Sequence, residues 1–529
     1  MKKYLWMSLA ALGFVACEKG IDNDNPQNGE MEKSYVAITL AADGMSTRAG
    51  TNPDGTYADG TANERKVESA HVFFFYENGD PFLVDGTNNF VAIANDGFSE
   101  KTPLADNVSD VQGAVLVINN RKGEHPTKMI AVLNWVPSTN YSISTLQSTL
   151  ANLGDETAGF VMTNAVYAQN DVEMAASIIA PENIAKNEDL AKANPVKIYV
   201  ERLAAKVTFN AENGGRFEVG TLNNSGKTED KVFAQIKGWE LYKDYNQSTY
   251  VKDIDPFWSV DDLGFNWNDP NWNRSYWALS PNTGTFASED FKWNVTAGED
   301  LSLGGYFYCG ENTNRTEADR TKVIIKAQLQ KEDGTAIELS RWYATDYVGD
   351  DNLKTAVANT LKYAIYSGVT AGGNTTYSSI ESSDLKVVEA KEATGTDIKA
   401  FEVFFQLSET GAAKTWYQYT DGEYTLAAPE VINARLAQVQ PALRYTLGQT
   451  YYYTDIKHLG AEGKTGEYGV VRNHVYQFNI TDINGYGTPV FNGNTDFTTP
   501  ERPVDVNTYV AAEINILSWR LVNQNQTLQ

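Results

Sequence analysis

Few residues in this chain have the type and setting for chemistry, and the clearest is a thiol near its start. Cys17 follows Ala16 at the end of a twelve-residue apolar run, Leu5 to Ala16, which itself follows the basic pair Lys2-Lys3. A run of that length is too short to span a bilayer, which takes about 20 residues, and the arrangement is that of an export signal. A small residue directly before the cysteine is similar to a bacterial lipobox, in which the thiol is acylated and becomes the first residue of the mature chain. Phe14 stands where that motif usually has Leu, and the other reading is an ordinary signal with a chance cysteine. Arg48 draws notice for a different reason. It is a lone cation in DGMSTRAGTNPDG (43–55), among small, polar and glycine residues. It is either a solvated loop residue or one offered to a partner.

No catalytic constellation accompanies these residues. The four histidines, His71, His125, His458 and His474, have no second ligand at zinc-like spacing, and read as core or surface residues. Cys309 in YFYCGENT has no nearby histidine and reads as a strand-packed thiol. With Cys17 acylated, no intrachain disulfide is possible. There is no G-x-S-x-G, no Walker A loop and no G-x-G-x-x-G, and carboxylate pairs such as Asp261-Asp262 are commonplace in an acidic chain. The expectation is a protein without enzymatic activity, cofactor or metal. The formal net charge of −25, from 68 acidic against 43 basic residues, excludes a nucleic-acid partner, which needs clustered Lys and Arg. One stretch could hold a ligand. In DPFWSVDDLGFNWNDPNWNRSYW (255–277), Trp258, Trp267, Trp272 and Trp277 alternate with Asn and Asp, as in sugar-binding platforms. The competing reading packs these rings under a long loop.

The elements around these residues are strands. With 529 residues, two or three domains are expected, and 29 Tyr and 11 Trp favour β-structure. Residues 18–34 are acidic, Asn-rich and aperiodic, a tether. SYVAITL (34–40) then alternates Val36, Ile38 and Leu40 with Tyr35, Ala37 and Thr39, a period of two. Further strands are read at 70–76, 113–120 and 128–135, with a turn at Asn78-Gly79-Asp80-Pro81. A helix is predicted from Ser142 as N-cap through Leu153, with Ile143, Leu146, Leu150 and Leu153 at helical spacing. A second, Ala-rich helix lies near 183–193, and Pro195 stops it. New strands resume at 196. At the other end, 492–507 reads as an extended linker before a long strand, TYVAAEINILSWRLV (508–522). There Val510, Ala512, Ile514 and Ile516 share one face and Leu517, Trp519 and Leu521 the other, with a bulge expected near Ile516. Such a strand must pair with an edge or become an aggregation hazard.

Taken in order, several segments resemble one family. They are the lipobox ending at Cys17, SYVAITL followed by Arg48-Ala49, VERLAAKV (200–207), YFYCGENT (306–313) with TKVIIKAQL, NHVYQFNITDING (473–485) and AAEINILSW (511–519). Together they resemble the fimbrillins, pilin subunits of type V pili from Bacteroidales-type bacteria, nearest to the stalk subunits of short fimbriae. The resemblance implies a mainly β chain of two transthyretin-like β-sandwich domains with a few short helices. It implies an exported lipoprotein that reaches the outer membrane through the lipid on Cys17 and then the surface fimbria. An arginine-specific surface protease would cut between Arg48 and Ala49, discarding the first strand with Val36, Ile38 and Leu40. Arg65, in NERKVESA, ranks second as a cutting site. A neighbour's terminal strand (Val510, Ala512, Ile514, Ile516, Leu517, Trp519, Leu521) would fill the vacated groove.

The expected organisation is a signal at 1–16, a lipidated propeptide at 17–48, domains at 49–195 and 196–500, and a linker with donor strand at 501–529. The expected function is a fimbrial stalk subunit supporting adhesion and biofilm formation. Its partners would be other copies of itself, anchor and tip subunits, and the protease. The alternatives are a tip or anchor subunit, or a surface carbohydrate-binding lipoprotein using 255–277.

Overall fold

In the computed structural model, residues 31–520 are described except 43–57, 60, 62, 95–98, 102–108, 122, 166, 170–171, 223–229, 256–277, 280–290, 293–303, 315, 391–398, 459–461, 491–495 and 498–508. Strands dominate, and the fold is mainly β with short helices.

The alternating SYVAITL becomes the centre of a strand, Met31–Ala42, inside a ten-stranded sheet. Along that sheet the order is Phe90–Ala94, Ser69–Phe75, Lys128–Leu133, Met162–Asn164, Val196–Arg202, Met31–Ala42, Ser109–Arg121 and Ser99–Lys101, with two short strands off this path. Val36, Ile38, Leu116, Ile118, Val72, the Phe73-Phe74-Phe75 run, Met129 to Leu133, Ile198 and Val200 form its core.

The sequence expectation of a boundary at 195–196 is corrected. Val196–Arg202 completes the first sheet, pairing with both Met31–Ala42 and Met162–Asn164. Leu203 and Ala204 still belong to the first core, and Ala205 opens the second. The end of the polar helix at Glu188–Ala193 is where composition shifts. It is not where the chain leaves the sheet.

The second core lies between two five-stranded sheets. One runs Ala58–Asp59, Tyr509–Arg520, His474–Asn484, Ala205–Ala211, Tyr306–Cys309; the other runs Arg216–Thr221, Lys231–Tyr242, Lys322–Gln330, Gln449–Asp455, Thr488–Pro489. Trp239 stacks on Phe209 at 5.1 Å inside it.

Between two neighbouring strands of that second sheet, Lys322–Gln330 and Gln449–Asp455, the chain inserts a third core. Leu339–Trp342 and Ala442–Tyr445 pair at its base. Helices Asp350–Leu361 and Pro429–Leu436 bury Leu353, Val357, Leu361, Ile432 and Leu436 around Trp342, Phe405 and Trp416. The expected single sandwich over 196–500 therefore contains an inserted unit. Its outer, four-stranded sheet places Tyr366, Tyr377, Tyr417, Tyr419 and Tyr424 on one face by cross-strand register. The rings pack on each other, Tyr377 and Tyr424 stacked at 3.7 Å, and Gly368 leaves room beneath the Tyr417 ring.

Two local expectations differ as well. Ser142 caps a helix, accepting from the Thr145 amide at 3.1 Å, but that helix is only Ile143–Ser148. Leu150–Asn152 instead pairs with Gln247–Thr249, so tertiary pairing overrides the helical spacing. No bulge lies at Ile516, where the register is regular from Ala512 to Ser518; the shift falls on the partner strand between Ile480 and Asp482, opposite Ala511 and Ala512.

Candidate functional site: two strands at opposite ends of the chain

The first strand is held from both sides. It runs antiparallel to Ser109–Arg121, from Met31 opposite Arg121 to Ala42 opposite Ser109. Its other edge runs parallel to Val196–Arg202, from Ile38 opposite Val196 to Ala41 opposite Tyr199, and pairs briefly with Ile184–Ala185. Val36 thus lies between Leu116 and Ile184, and Ile38 between Ala114 and Val196. Both side chains are fully buried. Each contributes about 1.5–3 kcal/mol of apolar burial, and backbone groups on two neighbours depend on this strand for partners. Leu40 lies on the paired backbone, and its side chain falls outside the described residues, as do Cys17, Arg48 and Ala49.

The terminal strand Tyr509–Arg520 lies antiparallel on His474–Asn484, from His474 opposite Ser518 to Asn484 opposite Tyr509. Far from being loose, it is seated on its own domain. Ala512, Ile514 and Ile516 fall opposite Ile480, Phe478 and Tyr476, all three in the second core, so their positions share the core face; Val510 packs on that core. Leu517 falls opposite Val475 in the backbone register. The side chains from Ala512 onward, and Leu521 altogether, lie outside the described residues. Among the described residues, the strand's outer edge is paired only at Trp519 and Arg520, by the parallel strand Ala58–Asp59.

A buried polar junction joins the two cores. Lys252 pairs with Glu201 at 3.1 Å and Arg472 with Glu311 at 3.0 Å, all of them buried. Arg472 also donates to the Ser248 and Thr249 hydroxyls. Burial raises the Glu201 carboxyl despite Lys252 and Arg472 beside it. Next to this junction Glu64, 1% exposed, meets Lys206 Nζ at 2.7 Å and the Tyr308 hydroxyl at 2.5 Å. Burial alone would raise the Glu64 carboxyl, but Lys206, Tyr308 and the Thr61 amide outweigh it and hold it low. The sequence TANE (61–64) carried this signal as a capping-box spacing, which the reading of the sequence missed.

The histidines hold no metal-like arrangement; among the described residues no cluster of His, Cys, Asp and Glu could hold an ion. His71, His458 and His474 are buried, the last two 5.3 Å apart by ring centres. Cys309 is buried in its strand with its thiol pushed up by burial. Trp258, Trp267, Trp272 and Trp277 lie outside the described residues.

Residues 444–525 match the family described as major fimbrial subunit protein type IV, fimbrillin, C-terminal. This part of the chain is similar to a fimbrillin C-terminal region. That region takes in both the terminal strand and the His474–Asn484 strand on which it lies. Among solved structures, a fimbrilin of Porphyromonas gingivalis is 13% identical, covering 92% of this chain and 99% of its own, with a TM-score of 0.38. The tip fimbrial protein Mfa3 of the same organism is 10% identical over 91% of this chain and 100% of its own, with a TM-score of 0.29. A fimbrial assembly protein of Parabacteroides distasonis is 12% identical over 75% and 100%, at 0.27. No curated protein matches.

Proposed function

We propose that this fimbrillin-type chain is a stalk subunit that polymerises by donor-strand exchange, with proteolysis at Arg48 as the trigger. The observation that carries this reading is the position of Met31–Ala42. It is a central strand, not an edge strand, and its removal opens a groove lined on both sides by unpaired backbone. Each unpaired buried polar group costs about 1–3 kcal/mol. Such a groove has strong affinity for any strand of matching alternation, through β-augmentation. While the first strand stays covalently attached, its effective concentration keeps competitors out.

The terminal strand has the matching pattern, with Val510, Ala512, Ile514 and Ile516 at alternate positions. In the isolated subunit it covers its own second core and is held largely along one edge, so transfer exchanges one antiparallel edge for a groove with two. Head-to-tail transfer of this kind is heterologous and builds an open fibre. In this reading Cys17 carries the lipid that brings the precursor to the outer membrane, and the cut frees the subunit to join others, including anchor and tip subunits, in an adhesive filament that supports biofilm formation.

The test uses the full chain without its lipid (Cys17→Ala), exposed briefly to an arginine-specific endoprotease. The expected products have Ala49 as N-terminus and form filaments visible by electron microscopy. Chain that is cut at Arg48 and stays monomeric at high concentration contradicts the proposal.

A further inference from the structure

Arg65 offers the same protease a second site, and a cut there would be damaging. It would detach Ala58–Asp59, the partner of the terminal strand, and Glu64, which bridges the two cores. We infer that Glu64 and Asn134 conceal the Arg65–Lys66 bond, so that processing is confined to Arg48. This inference rests on the proposed arginine-directed activation and concerns its site selection.

Proteases take their substrate as an extended strand with free backbone groups on both sides of the cut. The described backbone around Arg65 meets neither condition. Asn63–Arg65 is a turn of 3₁₀ helix, closed reciprocally: the Thr61 amide donates to Glu64 Oε2 at 2.5 Å and the Glu64 amide to Thr61 Oγ1 at 3.2 Å. Immediately before the bond, the Glu64 carboxylate is buried against Lys206 and Tyr308, and its carbonyl accepts from Arg202 Nε at 2.7 Å.

Immediately after the bond, a single asparagine holds the chain. Asn134 donates through Nδ2 to the Lys66 carbonyl at 2.7 Å and accepts the Glu68 amide on Oδ1 at 2.7 Å. It also donates to the Phe160 carbonyl at 2.8 Å, which fixes it to the first sheet's core. Lys66 Nζ adds a bond to the Thr157 carbonyl at 3.0 Å. The two sides are therefore fastened independently, upstream to Arg202, Lys206 and Tyr308 and downstream to Asn134. An extended conformation requires these bonds to break together, a local unfolding rather than a loop motion. Losing the charged anchor at Glu64 should raise the rate of that opening by on the order of tenfold or more.

The experiment follows new N-termini over time, by intact mass and Edman sequencing, when unlipidated full chain is treated with an arginine-specific endoprotease. Wild type is expected to keep the Arg65–Lys66 bond whole while it remains folded. Glu64→Ala is expected to release chains beginning at Lys66 at least about tenfold faster. Asn134→Ala tests the downstream clamp separately and serves if Glu64→Ala fails to fold, with near-ultraviolet circular dichroism recording the fold of each variant. The inference is overturned if wild type yields Lys66 ends as fast as Ala49 ends, or if folded Glu64→Ala and Asn134→Ala both keep the bond. A wild type cut at neither site supports the concealment of Arg65 and counts instead against Arg48 as the trigger.

Discussion

Several buried side chains define what this protein does under stress. His458 is enclosed, its Nδ1 2.9 Å from the Tyr476 hydroxyl, and burial, with His474 and Lys252 nearby, keeps its imidazole well below the usual range. The folded chain therefore holds this histidine neutral while the unfolded chain protonates it near its ordinary value of about 6.5. Fewer protons bind in the folded state, so stability is full above that value and declines as pH falls below it. His71, lowered chiefly by burial, acts with the same sign, and Glu64 acts in a lower window, below its ordinary carboxylate value. His458→Gln should flatten the loss of melting temperature between about pH 6.5 and 5 relative to wild type, measured by calorimetry. Cys309 sits at zero exposure. In the Cys17→Ala chain it should resist a thiol reagent while folded and react fully on unfolding. The sequence made Cys309 and His474 legible as strand residues, and both are buried there. For Glu64 only the capping-box spacing to Thr61 was legible; its burial was not, since Lys206 and Tyr308 reach it from strands distant in sequence.

At the level of elements, the period-two alternation of SYVAITL and of 508–522 revealed the strands Met31–Ala42 and Tyr509–Arg520 directly. What alternation could not reveal was who pairs with whom. Ser109–Arg121 and Val196–Arg202 are distant in sequence, and only the register shows that Met31–Ala42 is central. Ile38→Ala should cost the precursor about 2–5 kcal/mol, because the cavity lies between two sheet neighbours, read as a lower denaturant midpoint. After cutting, the same substitution should leave the stability of the processed chain nearly unchanged, since residue 38 has left with the propeptide. The inserted unit was illegible as a unit, although Leu353, Val357 and Leu361 stand at helical spacing. The chain leaves from Lys322–Gln330 and returns to the neighbouring strand Gln449–Asp455 of the same sheet, so no change of sheet marks the unit's edges. There, Gly368→Ala would bring a Cβ within 2.5 Å of the Tyr417 ring. About 1–3 kcal/mol is the expected cost, confined to the inserted unit and visible by hydrogen exchange.

The whole molecule has a central strand near one end of the chain and, near the other, a strand held largely along one edge. Its junction is buried and ionic, with Glu201, Lys252, Glu311 and Arg472 all withdrawn from water. Removing one partner of such a pair leaves an uncompensated charge, so Arg472→Ala should destabilise the chain by about 3–5 kcal/mol in a denaturant titration. The expectation of sandwich-like sheets came from strand spacing and that of two such domains from the family resemblance, while the handover between the two cores was hidden, because Val196–Arg202 reads as the start of a new series and finishes the old one.

Exchange requires the terminal strand to leave its own domain, and a reversible lock tests that requirement most directly. Gln477 and Asn515 are register partners across the His474–Asn484 and Tyr509–Arg520 strands. Gln477→Cys with Asn515→Cys, in the unlipidated chain, would tie the terminal strand in place when oxidised. After arginine-specific cutting, filament assembly followed by light scattering should be absent in the oxidised protein and restored by reductant. Equal assembly in both states, with the disulfide verified by mass, would contradict donor-strand exchange.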